Sequence, residues 1–175
     1  SLGLMRLCGF SYVDDSDLIA AGVTVEDVYA KLQDILNEWD HLMQVNGAAM
    51  APDKCWWYLV DFEWQNGKWR YRSPCQDKRL RVRDKTGHKS NLERLNHTQS
   101  KEMVGVHLSP DGNHLGQTKA LREKTAEWAR KIMKSPIDRD EAWVALKDTI
   151  TKTVEYPLPA TTLTQKQLTY IMAPA

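Results

Sequence analysis

The sequence predicts an α+β chain, with paired strands through residue 113 and helices over residues 114–175. Three observations carry that reading. Two adjacent carboxylates, Asp14 and Asp15, sit between apolar runs in the stretch Leu7 to Ile19. An Asn66-Gly67 pair is flanked on both sides by alternating aromatic and charged residues. From Thr118 onward the apolar residues recur at helical spacing, and Asp138-x-x-Glu141 and Thr164-x-x-Gln167 supply capping boxes. Runs of strands followed by runs of helices point to α+β architecture with a separate helical subdomain.

Composition narrows the class. A chain of 175 residues can form one domain or two small ones with a real core. Net charge is +1, so no global basic field announces nucleic acid. The charge is unevenly distributed: Arg6 and Lys31 are the basic residues before Lys54, whereas basic residues outnumber acidic ones from Lys54 to Lys101. Cys8, Cys55 and Cys75 are odd in number and widely spaced, which gives neither a disulfide framework nor zinc spacing and favours an intracellular setting, cytoplasm or nucleus. No signal peptide and no apolar run of membrane length is present, so no membrane association is expected. The sequence starts without Met and stops at Ile171-Met172-Ala173-Pro174-Ala175, which reads as an internal segment of a longer protein.

The elements follow in order. Leu7 to Ile19 fits a strand, a tight acidic turn and a second strand. Adjacent carboxylates repel unless a cation neutralises them, and hard oxygen donors suit Mg²⁺; on these residues alone a solvated turn is the better account of the pair. A helix follows, with Thr24 as N-cap and Glu26 and Asp27 in its first turn. Val25, Val28, Leu32, Ile35, Leu36, Trp39, Leu42 and Met43 form its apolar stripe, and Asn46-Gly47 ends it. That stripe is expected to pack on a sheet that includes the acidic hairpin.

Cys55 to Trp64 reads as one strand with Trp56, Tyr58, Val60, Phe62 and Trp64 on a single face. A two-residue loop at Asn66-Gly67 then sets Trp64 opposite Trp69, Phe62 opposite Tyr71, Glu63 opposite Arg70 and Asp61 opposite Arg72. Each such pair is worth about 0.2–1 kcal/mol, and a one-residue slip would lose the sorting of aromatics from charges. The aromatic face is expected in a core, with base stacking as the alternative. Ser73 to Lys78 is a linker. Leu80 to Arg83 is a strand, the turn centres on Gly87, and Asn91 to Leu95 is its partner. Arg79, Arg81, Arg83, Lys85 and Lys89 make a basic patch able to contact phosphates without reading sequence. Lys101 to Leu108 reads as a strand closed by the turn Ser109-Pro110-Asp111-Gly112-Asn113. A helix over Thr118–Lys134 turns Leu121, Thr125, Trp128 and Ile132 to one face. The next, opened by Asp138, sets Trp143, Leu146, Ile150 and Val154 inward; Tyr156-Pro157-Leu158-Pro159 breaks it, and Thr164 caps a last helix through Ile171.

Tyr12-Val13-Asp14-Asp15 resembles the Tyr/Phe-x-Asp-Asp signature of reverse transcriptases. The succession downstream is similar too. The family has a helix, a loop ending in lysine before a strand (here Pro52-Asp53-Lys54-Cys55-Trp56), a Leu/Val-Gly element (Met103-Val104-Gly105-Val106-His107-Leu108) and a helical thumb. The wording of nearly the whole chain looks like the reverse-transcriptase-like polyproteins of eukaryotic retrotransposons. The resemblance implies a partial polymerase palm over residues 1–113 and a thumb-like subdomain over 114–175. It implies RNA-directed DNA synthesis on an RNA or DNA template-primer from dNTPs, with Asp14 and Asp15 as ligands in a two-Mg²⁺ site, Mn²⁺ being able to substitute. It puts Tyr12 below the primer terminus and makes Lys54 the group that protonates departing pyrophosphate, although a plain turn lysine accounts for Lys54 as well. Val104, Gly105 and Val106 fall in the primer-grip hairpin, and Arg81 and Arg83 become phosphate contacts. Asp17 reads as a strand-edge residue. The family's third Asp, on an earlier strand, and its fingers have no counterpart in this sequence, so the segment is not expected to polymerise alone.

Three other readings compete. An RNA-dependent RNA polymerase more often carries Gly where Val13 stands. A non-catalytic nucleic-acid-binding or interaction module derived from a polymerase would bind through Lys78 to Lys89 and the Trp-rich hairpin. A metal-dependent nuclease lacks a further His or carboxylate cluster, since His41, His88, His97, His107 and His114 are scattered.

Overall fold

The structure is a computed structural model that describes residues 8–12, 15–72 and 78–175. Val13, Asp14 and the Ser73–Asp77 part of the expected linker lie outside the described residues. The class is α+β, as expected, built from two-stranded sheets and helices. The chain forms two compact units, residues 1–96 and 97–175. The β-hairpin that follows residue 100 therefore groups with the helices after it, whereas the sequence reading divided the chain after residue 113.

In the first unit, β1 (Cys8–Tyr12) and β2 (Asp15–Ile19) form an antiparallel hairpin. Helix α1 (Val25–Val45) starts as its sequence dictates: the Thr24 side chain accepts the Asp27 N–H at 3.1 Å. It stops with Gly47 N–H donating to Gln44 O and Ala48 N–H to Met43 O, the paired bonds of a Schellman turn. Ile35 and Leu36 are buried, but Leu42, expected in the apolar stripe, is 44 % exposed. The core joins Leu36 to Trp57, Leu80, Val82 and Leu92, with Leu18, Tyr29 and Leu32 at its margin. Thus α1 packs against β2 and also against the later strand β6 (Arg81–Arg83), which belong to different sheets.

The long strand expected over 55–64 is two short ones, β3 (Trp56–Tyr58) and β4 (Phe62–Gln65). Their separation resets the phase. Trp57 is the residue buried in β3, between half-buried Trp56 and Tyr58, because β3 pairs in parallel with β8 (Glu93–Leu95) rather than continuing into the hairpin. The register of β4 with β5 (Lys68–Tyr71) is the expected one: Phe62 faces Tyr71, Glu63 faces Arg70 and Trp64 faces Trp69. Asn66 (φ 51°) and Gly67 (φ 76°) are both left-handed, as a two-residue turn of this kind requires. Arg72 reaches Asp61 at 3.3 Å.

The expected burial of the aromatic face is corrected. Phe62, Trp64 and Trp69 are 47, 61 and 67 % exposed. The ribbon pairs with no third strand among the described residues, so no second layer covers it. A further correction concerns the basic strand: β6 pairs with β7 (Lys89–Asn91), two residues earlier than the expected Asn91–Leu95.

In the second unit, Lys101–Leu108 is not one strand. It forms the hairpin β9 (Lys101–Met103) and β10 (Val106–Leu108), turning at Val104 and Gly105. Gly112 N–H donates to Ser109 O in the expected turn. Helix α2 (Leu115–Lys134) begins three residues before the expected start, without a side-chain cap at His114, and buries Gln117, Thr118, Leu121, Thr125 and Ala129. Trp128, expected on that face, is 37 % exposed. The Asp138 capping box opens α3 (Arg139–Ala145) as expected, with Glu141 and Asp138 bonding reciprocally.

A π-helical segment, Leu146–Thr151, follows before α4 (Lys152–Glu155). It explains why Trp143, expected inward with Ile150 and Val154, is instead 64 % exposed. The wider turn shifts the helical phase between residue 143 and the buried pair, which are 1 and 7 % exposed. Thr164 caps α5 (Gln165–Met172), also through a full capping box. Leu121, Val154 and Ile171 form the core of this unit.

Candidate functional site

The β1–β2 register brings Tyr12 opposite Asp15, with Ser11 facing Ser16 and Phe10 facing Asp17. One end of the signature therefore lies in β1 and its second carboxylate opens β2. Asp14 lies outside the described residues. Close backbone approach is built into the hairpin at Gly9, where a Cβ would come within 2.4 Å of Asp17 O. As a donor set, two adjacent carboxylates supply the hard oxygens Mg²⁺ prefers but cannot alone complete an octahedral shell. Among the described residues no group of three or more His, Cys, Asp or Glu side chains is gathered for a metal.

Lys54 ends the 3₁₀ turn Pro52–Lys54 ahead of β3 and is exposed. Its backbone N–H donates to Ala51 O at 2.9 Å. Burial pushes the thiol of its neighbour Cys55 up and the Asp53 charge adds to that, so the thiolate is disfavoured there.

Val104 and Gly105, with φ of 49° and 78°, make the β9–β10 turn left-handed at both corners. Val is a β-branched residue poorly suited to that conformation. Tyr156, just beyond α4, closes over the turn: its hydroxyl donates to Val104 O at 2.9 Å, and its ring would lie 3.3 Å from a Cβ at Gly105. Val106 is buried (8 % exposed) and so has a packing role. The residues alone read as one strand over 101–108, with a hairpin at Val104 and Gly105 implied only by the resemblance, and nothing pointed to Tyr156, which lies 52 positions away and carries no local signal.

Arg81 and Arg83 stand on β6 beside α1. Alternation along the strand buries Leu80 and Val82 and turns Arg79, Arg81 and Arg83 the other way. Two residues of α1 hold that strand edge. Gln33 Nε2 donates to Arg81 O at 2.8 Å while Arg81 N–H donates to Gln33 Oε1 at 2.9 Å, and Tyr29 O–H donates to Arg79 O at 2.5 Å. Sequence reading missed this clasp. Between helix and strand runs an open groove of about 720 Å³, within the size range of ligand clefts, lined by both elements.

No family model, curated protein or solved structure matches the chain. No helix among the described residues is long and apolar enough to cross a membrane.

Proposed function

We propose that the chain is a segment of an RNA-directed DNA polymerase, with the first unit contributing part of a palm and the second a thumb-like helical unit. The reaction is templated transfer of a nucleotide to a primer 3′-hydroxyl. The observation that carries this reading is the antiparallel hairpin with Tyr12 opposite Asp15, followed in order by α1, the Lys54 turn and β3. Asp14 and Asp15 would hold Mg²⁺, which when bound supplies Lewis-acid activation of the attacking oxygen and charge neutralisation at the leaving pyrophosphate. Tyr12 supports the primer terminus, and Lys54 serves as a proton donor to pyrophosphate. The β9–β10 turn, braced by Tyr156, presents backbone to the primer.

The test is dNTP incorporation on a primed RNA template by a chain extended through its natural upstream sequence, with and without Asp14→Ala. Loss of incorporation by a factor of roughly 100 or more is expected, on the scale of removing a group that stabilises transition-state charge. Full activity in Asp14→Ala removes Asp14 from the mechanism.

The exposed aromatic ribbon and the basic groove favour a second reading, a non-catalytic nucleic-acid-binding module of polymerase descent. Salt-dependent RNA binding unchanged by Asp14→Asn, together with no Mg²⁺ uptake, selects it.

A further inference from the structure

The groove between α1 and β6 has a charge arrangement that folding alone does not explain. Arg83 and Lys89 are directly opposite each other across the β6–β7 pair. Like charges at that position destabilise a strand pair. Neither forms an ion pair with a carboxylate among the described residues. The nearby carboxylate of Asp84 is engaged elsewhere, accepting from the Thr86 hydroxyl and from the Thr86 and His88 N–H groups. Arg79 and Arg81 extend the positive edge along the strand, and alternate residues of a strand stand about 6.6 Å apart.

The facing wall of the groove is polar. Asn37, His41 and Gln44 line it from α1, and the groove's acidic residue, Asp40, is 8 % exposed with Oδ2 accepting from Gln44 Nε2. Arg81 Nε donates to Asn91 Oδ1 at 3.3 Å, which holds its guanidinium in place. The result is a row of cations on one wall and hydrogen-bonding side chains on the other, where the one carboxylate, Asp40, is buried and bonded to Gln44. That suits a polyanion with a polar, hydrogen-bonding flank.

We propose that this groove binds the phosphodiester backbone of a nucleic-acid strand, with Arg79, Arg81, Arg83 and Lys89 on the phosphates and Asn37 and His41 on the sugar or base edges. The choice of nucleic acid among polyanions rests on the polymerase reading above. The opposed Arg83–Lys89 pair is a standing electrostatic cost of the empty hairpin that a bound phosphate relieves. Binding here is indifferent to base sequence, because phosphate contacts position a strand without reading it.

The test uses the 175-residue chain and fluorescein-labelled 20-nucleotide RNA and DNA, single-stranded and duplex, titrated over a range of salt concentrations. Each phosphate contact contributes about 0.9 to the salt slope on duplex DNA and about 0.7 on a single strand. Arg83→Ala/Lys89→Ala should therefore lower the slope by about 1.8 on duplex DNA and about 1.4 on a single strand, and weaken binding about 60-fold and about 25-fold respectively at 0.1 M salt, for every base sequence alike. Lys89→Glu separates a binding role from a structural one. It should abolish binding while raising the thermal midpoint, because an opposite-charge pair replaces a repelling one.

The single-strand and duplex arms identify which form of the backbone the groove accepts. Unchanged affinity and slope in both variants would overturn the proposal, as would displacement of the RNA by polyglutamate as effectively as by unlabelled RNA. Absence of binding by the unaltered chain also overturns it, while nucleotide incorporation by the extended chain separately judges the polymerase reading.

Discussion

Replacing Val104 by Asn tests whether the β9–β10 turn stores strain. Val104 holds φ at 49° ahead of Gly105 at 78°. A left-handed conformation costs an ordinary L-residue about 1–2 kcal/mol, whereas Asn adopts it readily and Asn-Gly is the favoured pair for such a turn. Against that gain stands the partly buried Val side chain. It is 45 % exposed, so its loss forfeits only part of the ~1.5–3 kcal/mol that full burial of an aliphatic side chain provides. Just over half of that burial, about 0.8–1.7 kcal/mol, set against the gain leaves a net stabilisation of about 0.3 kcal/mol. For a unit the size of residues 97–175 this raises the midpoint of thermal unfolding by about 1–2 °C.

Circular dichroism melts give the midpoint, and hydrogen exchange at the Met103 and Val106 amides localises the effect. The Tyr156 hydroxyl accompanies the test because it donates to the Val104 carbonyl, which Asn retains. Tyr156→Phe should lower stability by ~0.5–1 kcal/mol, the low side of a net hydrogen bond because the ring is 60 % exposed. A lower melting midpoint in Val104→Asn, with faster exchange at the turn, would refute the strain argument and show that apolar contacts of Val104 govern the turn.

Gln33→Ala removes both hydrogen bonds that α1 makes to the Arg81 backbone, and should cost about 1–2 kcal/mol by urea unfolding; a neutral result would mean that water replaces the side chain without loss. Asp84 gives a pH signature. The Thr86 hydroxyl first, then the Thr86 and His88 N–H groups, hold its carboxyl below the usual carboxylate range. Its contribution is therefore fully present above the unfolded value near 3.9 and is lost as pH falls through the lower folded value. Comparing acid unfolding of the chain with Asp84→Asn checks the sign: the two should differ at neutral pH and converge in acid, and a constant difference would remove Asp84 from the pH dependence.

What could be read from the sequence was what is decided within a few residues. The Thr24, Asp138 and Thr164 caps depend on side chains reaching backbone two or three positions away. The β4–β5 register depends on Asn66-Gly67 and on pairing aromatic with aromatic and Glu63 with Arg70 across the ribbon. What failed were statements about partners distant in sequence. Whether Trp64 and Trp69 are buried depends on a covering layer, which no local pattern encodes. The phase of Trp57 is set by pairing with β8, some 37 positions onward. The π segment after Ala145 has no sequence signal, and it moved Trp143 to the surface. Of the candidate site, the acidic hairpin and the basic strand were legible in outline, but the left-handed β9–β10 turn, the Tyr156 brace and the Gln33 clasp were not.

Most of the chain obeys local rules, and three of its exceptions fall among the candidate nucleic-acid-contacting surfaces. A β-branched residue sits in a left-handed turn at Val104, two cations face each other at Arg83 and Lys89, and an aromatic face lies open on the β4–β5 ribbon. Sequences selected for folding alone tend toward agreement between local preference and final structure, and departures concentrate where function opposes stability. The exceptions at Val104 and Lys89 can each be relieved by one exposed or half-exposed substitution, Val104→Asn and Lys89→Glu. A structural origin requires each to destabilise; a functional origin requires each to stabilise while weakening contact with nucleic acid. The two origins thus predict opposite signs in the same unfolding experiment, and that sign, together with the binding isotherm, separates a surface kept for its partner from one kept for the fold.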